Sequence, residues 1–247
     1  MNVRPWSVRG TPVGIAGSHA GTGPARIPEA RSIPHSTEPP RFRGVSHVFG
    51  FFMTLPLGLL LVVSQPHGVA EVAALVFAAS VTAMFGTSSL FHRIQWCSAR
   101  KSRMAILDHA MIYTLIAGTY TPFALLVLHP GWRVPVLGTV WGVAIAATGA
   151  KLIVRTAPSW VAAATCVSLG WIAMIIFPQI VDGIGLAGSA LLVAGGLAYT
   201  VGAFVYARRR PDPFPATFGY HEIFHALVVV GVACQYATVA FFVLPRP

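Results

Sequence analysis

The sequence predicts an all-α protein, a bundle of seven transmembrane helices with its N-terminus in the cytoplasm and its C-terminus outside. Composition is the first reason, because 55% of the residues are hydrophobic and only 10% are charged, whereas soluble domains carry about 25% charged residues. The second reason is that, from residue 45 onward, one apolar run follows another, each long enough to cross the hydrocarbon core of a bilayer. The third is that Lys and Arg concentrate in alternate connections between these runs.

Residues 1–43 differ from the rest of the chain. They are rich in Pro, Arg, Gly and Ser and show no hydrophobic period, which is typical of a disordered segment. No apolar stretch precedes residue 45, so a signal peptide is not expected. We therefore predict a basic, Pro-rich cytoplasmic tail over residues 1–43 and a transmembrane domain over residues 44–247.

The apolar runs are interpreted as helices because a segment in lipid must satisfy its own backbone hydrogen bonds. A closed barrel is the other solution, but its strands show alternating polarity, and these runs do not. The predicted spans lie near residues 45–65, 70–91, 107–128, 134–151, 159–178, 184–206 and 222–244.

The basic residues orient the predicted bundle, because cytoplasmic connections carry an excess of Lys and Arg. With seven spans, only Arg133 and Arg246 fall on the side opposite to the N-terminal tail. The same bias explains the net charge of +10 without a nucleic-acid partner, and none is expected. The basic residues on the cytoplasmic side are Arg4, Arg9, Arg26, Arg31, Arg41, Arg43, Arg93, Arg100, Lys101, Arg103, Lys151, Arg155, Arg208, Arg209 and Arg210.

Two histidines open the last apolar run, in the string His221-Glu222-Ile223-Phe224-His225. Histidines at positions i and i+4 lie on one face of a helix, one turn apart. Their neutral imidazole nitrogens can reach a single tetrahedral metal ion, for which zinc is the usual occupant. The string also matches H-E-x-x-H, the signature of zinc metalloproteases in which the glutamate is the general base.

Polar residues inside transmembrane segments are expensive in lipid, so each is a candidate functional residue. Ser88 and His92 end the second predicted span, Asp108 begins the third, and His221 and His225 begin the seventh. All five lie at the cytoplasmic end of their helices, so the three helices bring them to a similar depth. This placement predicts one site.

Three imidazoles and one water form the open tetrahedral set that catalytic zinc uses. We therefore predict His92, His221 and His225 as the metal ligands, with Zn²⁺ as the cofactor. Asp108 is expected either to ligate the ion or to accept a hydrogen bond from its water. Ser88, one turn deeper than His92, is expected to bond the same water or a substrate carbonyl.

Other polar residues at this depth are given structural roles. His47 begins the first span, and packing is favoured for it over ligation, although a ligand or supporting role stays open. His109 points about 100° away from Asp108 on its helix, so a packing role is favoured. Glu222 faces away from the side that carries His221 and His225, where it favours the N-terminus of its helix.

Four motifs resemble the hemolysin III family, which belongs with the progestin and adipoQ receptors, seven-helix proteins with an internal zinc site. The resemblance extends over about residues 41–244, and the combination is more specific than any single motif. The motifs are Ser88-x-x-x-His92, Leu107-Asp108-His109, Ala117-Gly118-Thr119-Tyr120-Thr121-Pro122 and His221-Glu222-Ile223-Phe224-His225.

The resemblance implies a multi-pass protein of the bacterial plasma membrane with zinc on His92, His221 and His225 and with Asp108 and Ser88 beside it. There is one departure from the family pattern, since many relatives have Glu and Asn upstream of the histidine in the first helix. Pro40 and Arg43 stand seven and four residues before His47.

Three functions are compatible with these observations. The first is a zinc-dependent hydrolase of an amide or ester lipid, acting in membrane-lipid homeostasis with Asp108 and Ser88 as catalytic residues; membrane lipids would be both its partners and its substrate. The second is a pore-forming, cytolytic or receptor-like protein whose zinc is structural. The third, an intramembrane metalloprotease with Glu222 as the base, is the weakest because it gives His92 no role and no acidic residue follows residue 222.

Overall fold

Helices make up the regular structure of the protein in a computed structural model, which describes residues 40–153 and 159–245. Within these residues there are seven α-helices and no β-strand, so the predicted all-α class is confirmed. Of the predicted tail, residues 1–39 lie outside the described residues, and residues 40–43 lead into α1. The helices are α1 (Val45–Val63), α2 (Val69–Arg93), α3 (Ser98–Leu126), α4 (Pro130–Ile153), α5 (Ser159–Trp171), α6 (Phe177–Arg208) and α7 (Tyr220–Thr238), with a 3₁₀ turn at Ile172–Met174 and a π-helical turn at Val239–Val243.

Five of these helices are long and apolar enough to cross a membrane: α1, α2, α4, α6 and α7 with its π-helical turn. A sixth apolar stretch, Trp160–Met174, is shorter. The 29 residues of α3 include the basic start Ser98–Arg103. The chain is therefore a membrane protein with several apolar helices, while the count of seven spans and the orientation of the termini remain predictions.

The outer faces of the helices are apolar, as lipid requires. Leu59 on α1 is 64% exposed, Val134 on α4 78% and Leu186 on α6 79%. Such a surface would drive aggregation in water. In hydrocarbon it needs no polar cover, because lipid tails solvate these side chains.

Two helices begin earlier than their hydrophobicity predicts. Helix α3 starts at Ser98 instead of near residue 107, because its first turns are rich in Ala, Arg, Lys and Met, good helix formers that hydropathy does not count. Helix α6 starts at Phe177 instead of near residue 184, with Pro178 in its first turn, where the fixed φ of proline suits a helix start. Within α6, Gly185 has a φ of 70° that interrupts the helical backbone.

Contacts between helices bring α1, α2, α3 and α7 together. Helix α2 packs on both α1 and α3, α6 packs on α7, and α7 also contacts α1. Helices α2 and α3 come close where Gly118 faces Ser80, since a Cβ on this glycine would collide with the serine side chain. The core between the helices contains Phe77, Phe85 and Phe123, each at most 3% exposed.

The residues just before α1 are bound to the connection that precedes α7. The amide of Arg41 donates to the carbonyl of Ala216, and the amide of Phe42 donates to that of Thr217, both at 3.1 Å. These bonds hold the start of α1 beside the start of α7. As a result, the N-terminal turns of both helices meet the C-terminal turn of α2.

Candidate metal centre

Three imidazoles meet at this end of the bundle. His92 lies in the last turn of α2, while His221 and His225 lie in the first two turns of α7. One nitrogen from each ring lies within 4.8 Å of the other two. The rings meet edge to face, with centroids 4.5–5.0 Å apart, so their nitrogens converge and could hold one ion.

The geometry fits zinc. Two nitrogens bound tetrahedrally at the usual zinc distance lie about 3.3 Å apart, and His92 Nε2 is 3.2 Å from His221 Nε2. His225 Nδ1 is buried and has no hydrogen-bond partner among the described residues. A buried nitrogen without a partner costs about 1–3 kcal/mol, and an ion bound at this nitrogen would offset that cost. The donor set, imidazole without thiolate, also suits zinc.

Asp108 lies beside the three histidines. It is on α3, its side chain is 15% exposed, and its Oδ2 is 3.9 Å from His92 Nε2. That separation is too long for a hydrogen bond. The carboxylate is therefore a neighbour of the cluster and is not one of the three converging donors. The roles assigned to it from the sequence remain predictions.

Ser88 has a partner that the sequence did not indicate. Its hydroxyl lies 2.9 Å from His47 Nδ1, and both residues are buried. The His47 ring also stacks on the His225 ring and meets Phe85 edge-on. His47 is thus in direct contact with the candidate metal centre.

Sequence reasoning favoured packing for His47, although it left a supporting role open. The sequence does contain a signal for a role in the metal centre. His47 begins a predicted transmembrane helix at the same depth as the other three histidines. Its ring is only 2% exposed, and its Nε2 is buried without a hydrogen-bond partner among the described residues.

Glu222, the acid of the H-E-x-x-H string, is engaged away from the histidines. Its Oε1 accepts from Arg43 Nε, and its Oε2 accepts from the amide of Gly219 at 2.8 Å. This pairing is a capping contact at the start of α7, where a carboxylate is favoured. Both oxygens are used in holding the helix start, so the carboxylate is not free to be the base of a metalloprotease.

A large cavity adjoins the cluster. It has a volume of about 850 Å³ and runs between the helices from the histidines into the bundle. His92, His221 and His225 line it, together with Asp108 and Ser88. Most of the remaining wall is apolar or aromatic, as in Met84, Tyr113, Phe123, Ile180 and Val228. Small-molecule sites have volumes of about 300–1,000 Å³ and similar walls.

Comparison with known proteins assigns the family. The sequence model of the family described as "Haemolysin-III related" matches residues 35–236. Hemolysin-3 of Bacillus cereus is 33% identical over 209 residues, which cover 81% of this chain and 90% of that protein. The Hemolysin-3 homolog of Bacillus subtilis (strain 168) is 29% identical over 206 residues, which cover 82% and 93%. These matches and the four motifs agree, and the chain belongs to the hemolysin III family.

Proposed function

We propose that this protein is a zinc-dependent hydrolase that cleaves an amide or ester lipid at the cytoplasmic face of the bacterial plasma membrane. The observation that carries the proposal is the placement of three imidazoles and a carboxylate on the wall of an 850 Å³ apolar cavity. An acyl chain in the cavity would have its polar linkage at the histidines. A zinc ion that only clamps α2 to α7 would need no such space.

His92, His221 and His225 would hold the ion, and three protein ligands leave one position open, as in catalytic zinc sites. When bound, zinc supplies Lewis-acid chemistry and makes a water molecule more acidic. The buried, largely apolar surroundings of the three rings strengthen electrostatic interactions there.

Asp108 is the proposed general base. In this role Oδ2 takes the proton that the attacking water loses and passes it to the leaving amine or alkoxide. Asp108 Oδ2 lies 3.9 Å from His92 Nε2. The carboxylate is therefore close to a proposed ligand but makes no hydrogen bond to its ring. Its side chain is 15% exposed, so it can reach a molecule in the cavity.

Ser88 is the proposed partner of the substrate carbonyl. If His47 Nδ1 carries the proton, this ring donates to Ser88 Oγ, and the serine hydroxyl is free to donate to the substrate. His47 then fixes the direction in which the hydroxyl points. The apolar wall around Met84 and Ile180 holds the acyl chain and keeps bulk water out.

A second candidate function comes from the relatives. Two of them are named Hemolysin-3 and Hemolysin-3 homolog, and these names favour a cytolytic, pore-forming protein. Zinc would have a structural role in such a protein. In that case the histidines would join α2 to α7, and Asp108 would affect stability without acting on a substrate.

One experiment separates the two functions. The purified protein in detergent is incubated with a panel of ceramides and phospholipids, and fatty-acid release is followed by mass spectrometry. Asp108→Asn should retain zinc and fold but lose turnover by about 10²–10⁴-fold, the usual contribution of a general base. The control Asp182→Asn changes an exposed acid on α6 and should behave as wild type.

Two outcomes would contradict the hydrolase. One is equal release by wild type and Asp108→Asn, and the other is no release by either across the panel. Dye leakage from vesicles that contain the wild-type protein, together with no hydrolysis, would support the pore-forming function.

A further inference from the structure

Basic side chains line the cavity near the candidate metal centre. They come from three places in the chain: Arg43 before α1, Arg93 in the last turn of α2, and Lys101 in the first turn of α3. Arg93 directly follows His92 in sequence. Arg43 pairs with Glu222 beside His221, and both His92 and Arg93 lie against Gly44. These two arginines are therefore near the histidines, and Lys101 lines the same cavity.

One of these cations is already neutralised. Arg43 pairs with Glu222, whose side chain is only 2% exposed. Arg93 and Lys101 make no salt bridge to any described residue, and both are exposed. Among the described residues that line the cavity, Asp108 is the one acidic residue. This part of the wall thus has an excess of positive charge even before an ion binds at the histidines.

The excess of basic residues predicted for the cytoplasmic side does not by itself explain why Arg93 and Lys101 line the cavity. Arg100 and Arg103 lie near Lys101 on the first turns of α3 and are also exposed. Neither lines the cavity, whereas Lys101 does. Orientation in the membrane requires only that basic residues stand in this connection. It does not require that two of them face the cavity.

The connection between α2 and α3 lies between Arg93 and Lys101 in sequence and forms the rim of the cavity, residues 94–96. Ile94, Gln95 and Trp96 also line the cavity, and the Trp96 indole donates to the carbonyl of Leu90 at 3.0 Å. Tryptophan is favoured at the level of lipid head groups because its ring is apolar and its N–H is polar. The rim thus combines charge with an interfacial aromatic residue.

We propose that the cavity binds an anionic monoacyl lipid, with its chain along the apolar wall and a phosphate head group between Arg93 and Lys101. This inference rests on the proposed function and names its substrate class. Arginine binds phosphate oxygens in a bidentate manner and lysine adds a point charge. Since Arg93 and the ligand His92 line the same cavity, the proposed lipid carries its phosphate close to its scissile carbonyl, as a lysophospholipid does.

The test is a binding measurement that does not depend on turnover. Wild-type protein in phosphatidylcholine nanodiscs is stripped of metal with a chelator and titrated by calorimetry. The probes are 1-palmitoyl lysophosphatidic acid, the neutral 1-palmitoyl glycerol of equal chain length, and inorganic phosphate alone. We expect the anionic lipid to bind at least about 10-fold more tightly than the neutral one, and phosphate alone to bind much more weakly than either.

Two double variants locate the effect. Arg93→Gln with Lys101→Gln should abolish the preference for the anionic lipid and leave binding of the neutral lipid unchanged. Arg100→Gln with Arg103→Gln removes the same charge from the same connection and should retain the preference. Equal binding of both lipids by wild type would overturn the proposal, as would an equal loss in the two double variants. Tight binding of phosphate alone would mean a free anion site without an acyl chain.

Failure of this inference can be told from failure of the proposed function. Cleavage of neutral lipids with no anionic preference would overturn the substrate class and keep the hydrolase. Preferential binding of the anionic lipid without cleavage, in the zinc-loaded protein, would keep the binding site and overturn the hydrolase.

Discussion

The imidazole of His47 stacks on that of His225, with ring centroids 3.8 Å apart and planes inclined by 15°. One ring belongs to α1 and the other to α7, so the contact joins the first and last helices at the candidate metal centre. The same His47 ring reaches Ser88 on α2 through its Nδ1. A residue that is not among the converging donors therefore contacts both a proposed ligand and a proposed catalytic residue.

This relationship predicts that His47 controls zinc affinity through the orientation of His225. His47→Ala should weaken zinc binding by about 10–100-fold, the usual effect of residues that support a ligand. His47→Phe keeps a ring to stack and should recover most of the affinity, while losing the bond to Ser88 and therefore turnover. Competition with a zinc-binding dye measures the affinity. The same affinity in His47→Ala and wild type would contradict this role.

The ligands themselves give a second prediction. The protein should purify with about one zinc per chain, and His92→Ala, His221→Ala and His225→Ala should each lose most of it. Their loss of affinity should be at least as large as that of a supporting residue, about 10–100-fold. Metal content after dialysis against a chelator is the measurement. A residue whose alanine variant retains full zinc under these conditions is not a ligand.

A matched control is available on the same chain. His67 stands before α2, away from the cluster, and its side chain is 99% exposed. His67→Ala removes one imidazole from the protein and should leave the zinc content unchanged. A loss of zinc in this variant would show that the assay reports surface histidines.

The pair of Arg43 and Glu222 predicts a strong coupling in stability. Arg43→Ala leaves a buried carboxylate without its partner, which costs about 3–5 kcal/mol for fully buried pairs and less here because Arg43 is 21% exposed. Glu222→Gln keeps the cap of α7, since Gln also suits this position. The double variant should therefore be more stable than Arg43→Ala alone. Thermal unfolding in detergent of the four proteins of the cycle gives the coupling, and additive effects would mean that the pair does not matter.

The same variant tests the role of Glu222 in chemistry. Because both carboxylate oxygens are engaged by Arg43 and the amide of Gly219, Glu222→Gln should retain turnover once its fold and zinc content match wild type. Loss of turnover in a folded, zinc-loaded Glu222→Gln protein would instead support the metalloprotease hypothesis.

The predicted orientation of the helices in the membrane can be tested with a cysteine of the native sequence. Cys97 is exposed in the connection between α2 and α3, which the distribution of basic residues places in the cytoplasm. A membrane-impermeant maleimide should label it in inverted vesicles and not in intact cells. A tag on the N-terminus and one inserted in the 208–220 connection should report cytoplasm, and a C-terminal tag should report outside. Both termini on one side would mean an even number of spans.

The helices and the metal-ligand candidates follow from local properties of the sequence. Apolar runs become helices because lipid offers no other partner for the backbone, and α2 and α7 end or begin within a few residues of their predicted places. The spacing of His221 and His225 places them on one helix face whatever surrounds them. The basic residues in the connections predict that α2 ends on the side where α7 begins, which puts His92 at the depth of the other two histidines.

The relationships around the site depend on how each helix is rotated and which helix it contacts, and hydropathy does not encode either. The stack of His47 on His225 requires that α1 pack on α7 with one particular face inward. The engagement of Glu222 requires Arg43, which is 179 residues away in sequence. The cavity is the space left between several helices, so no single segment predicts it. These features arise from contacts between distant segments, and they form only when the whole bundle packs.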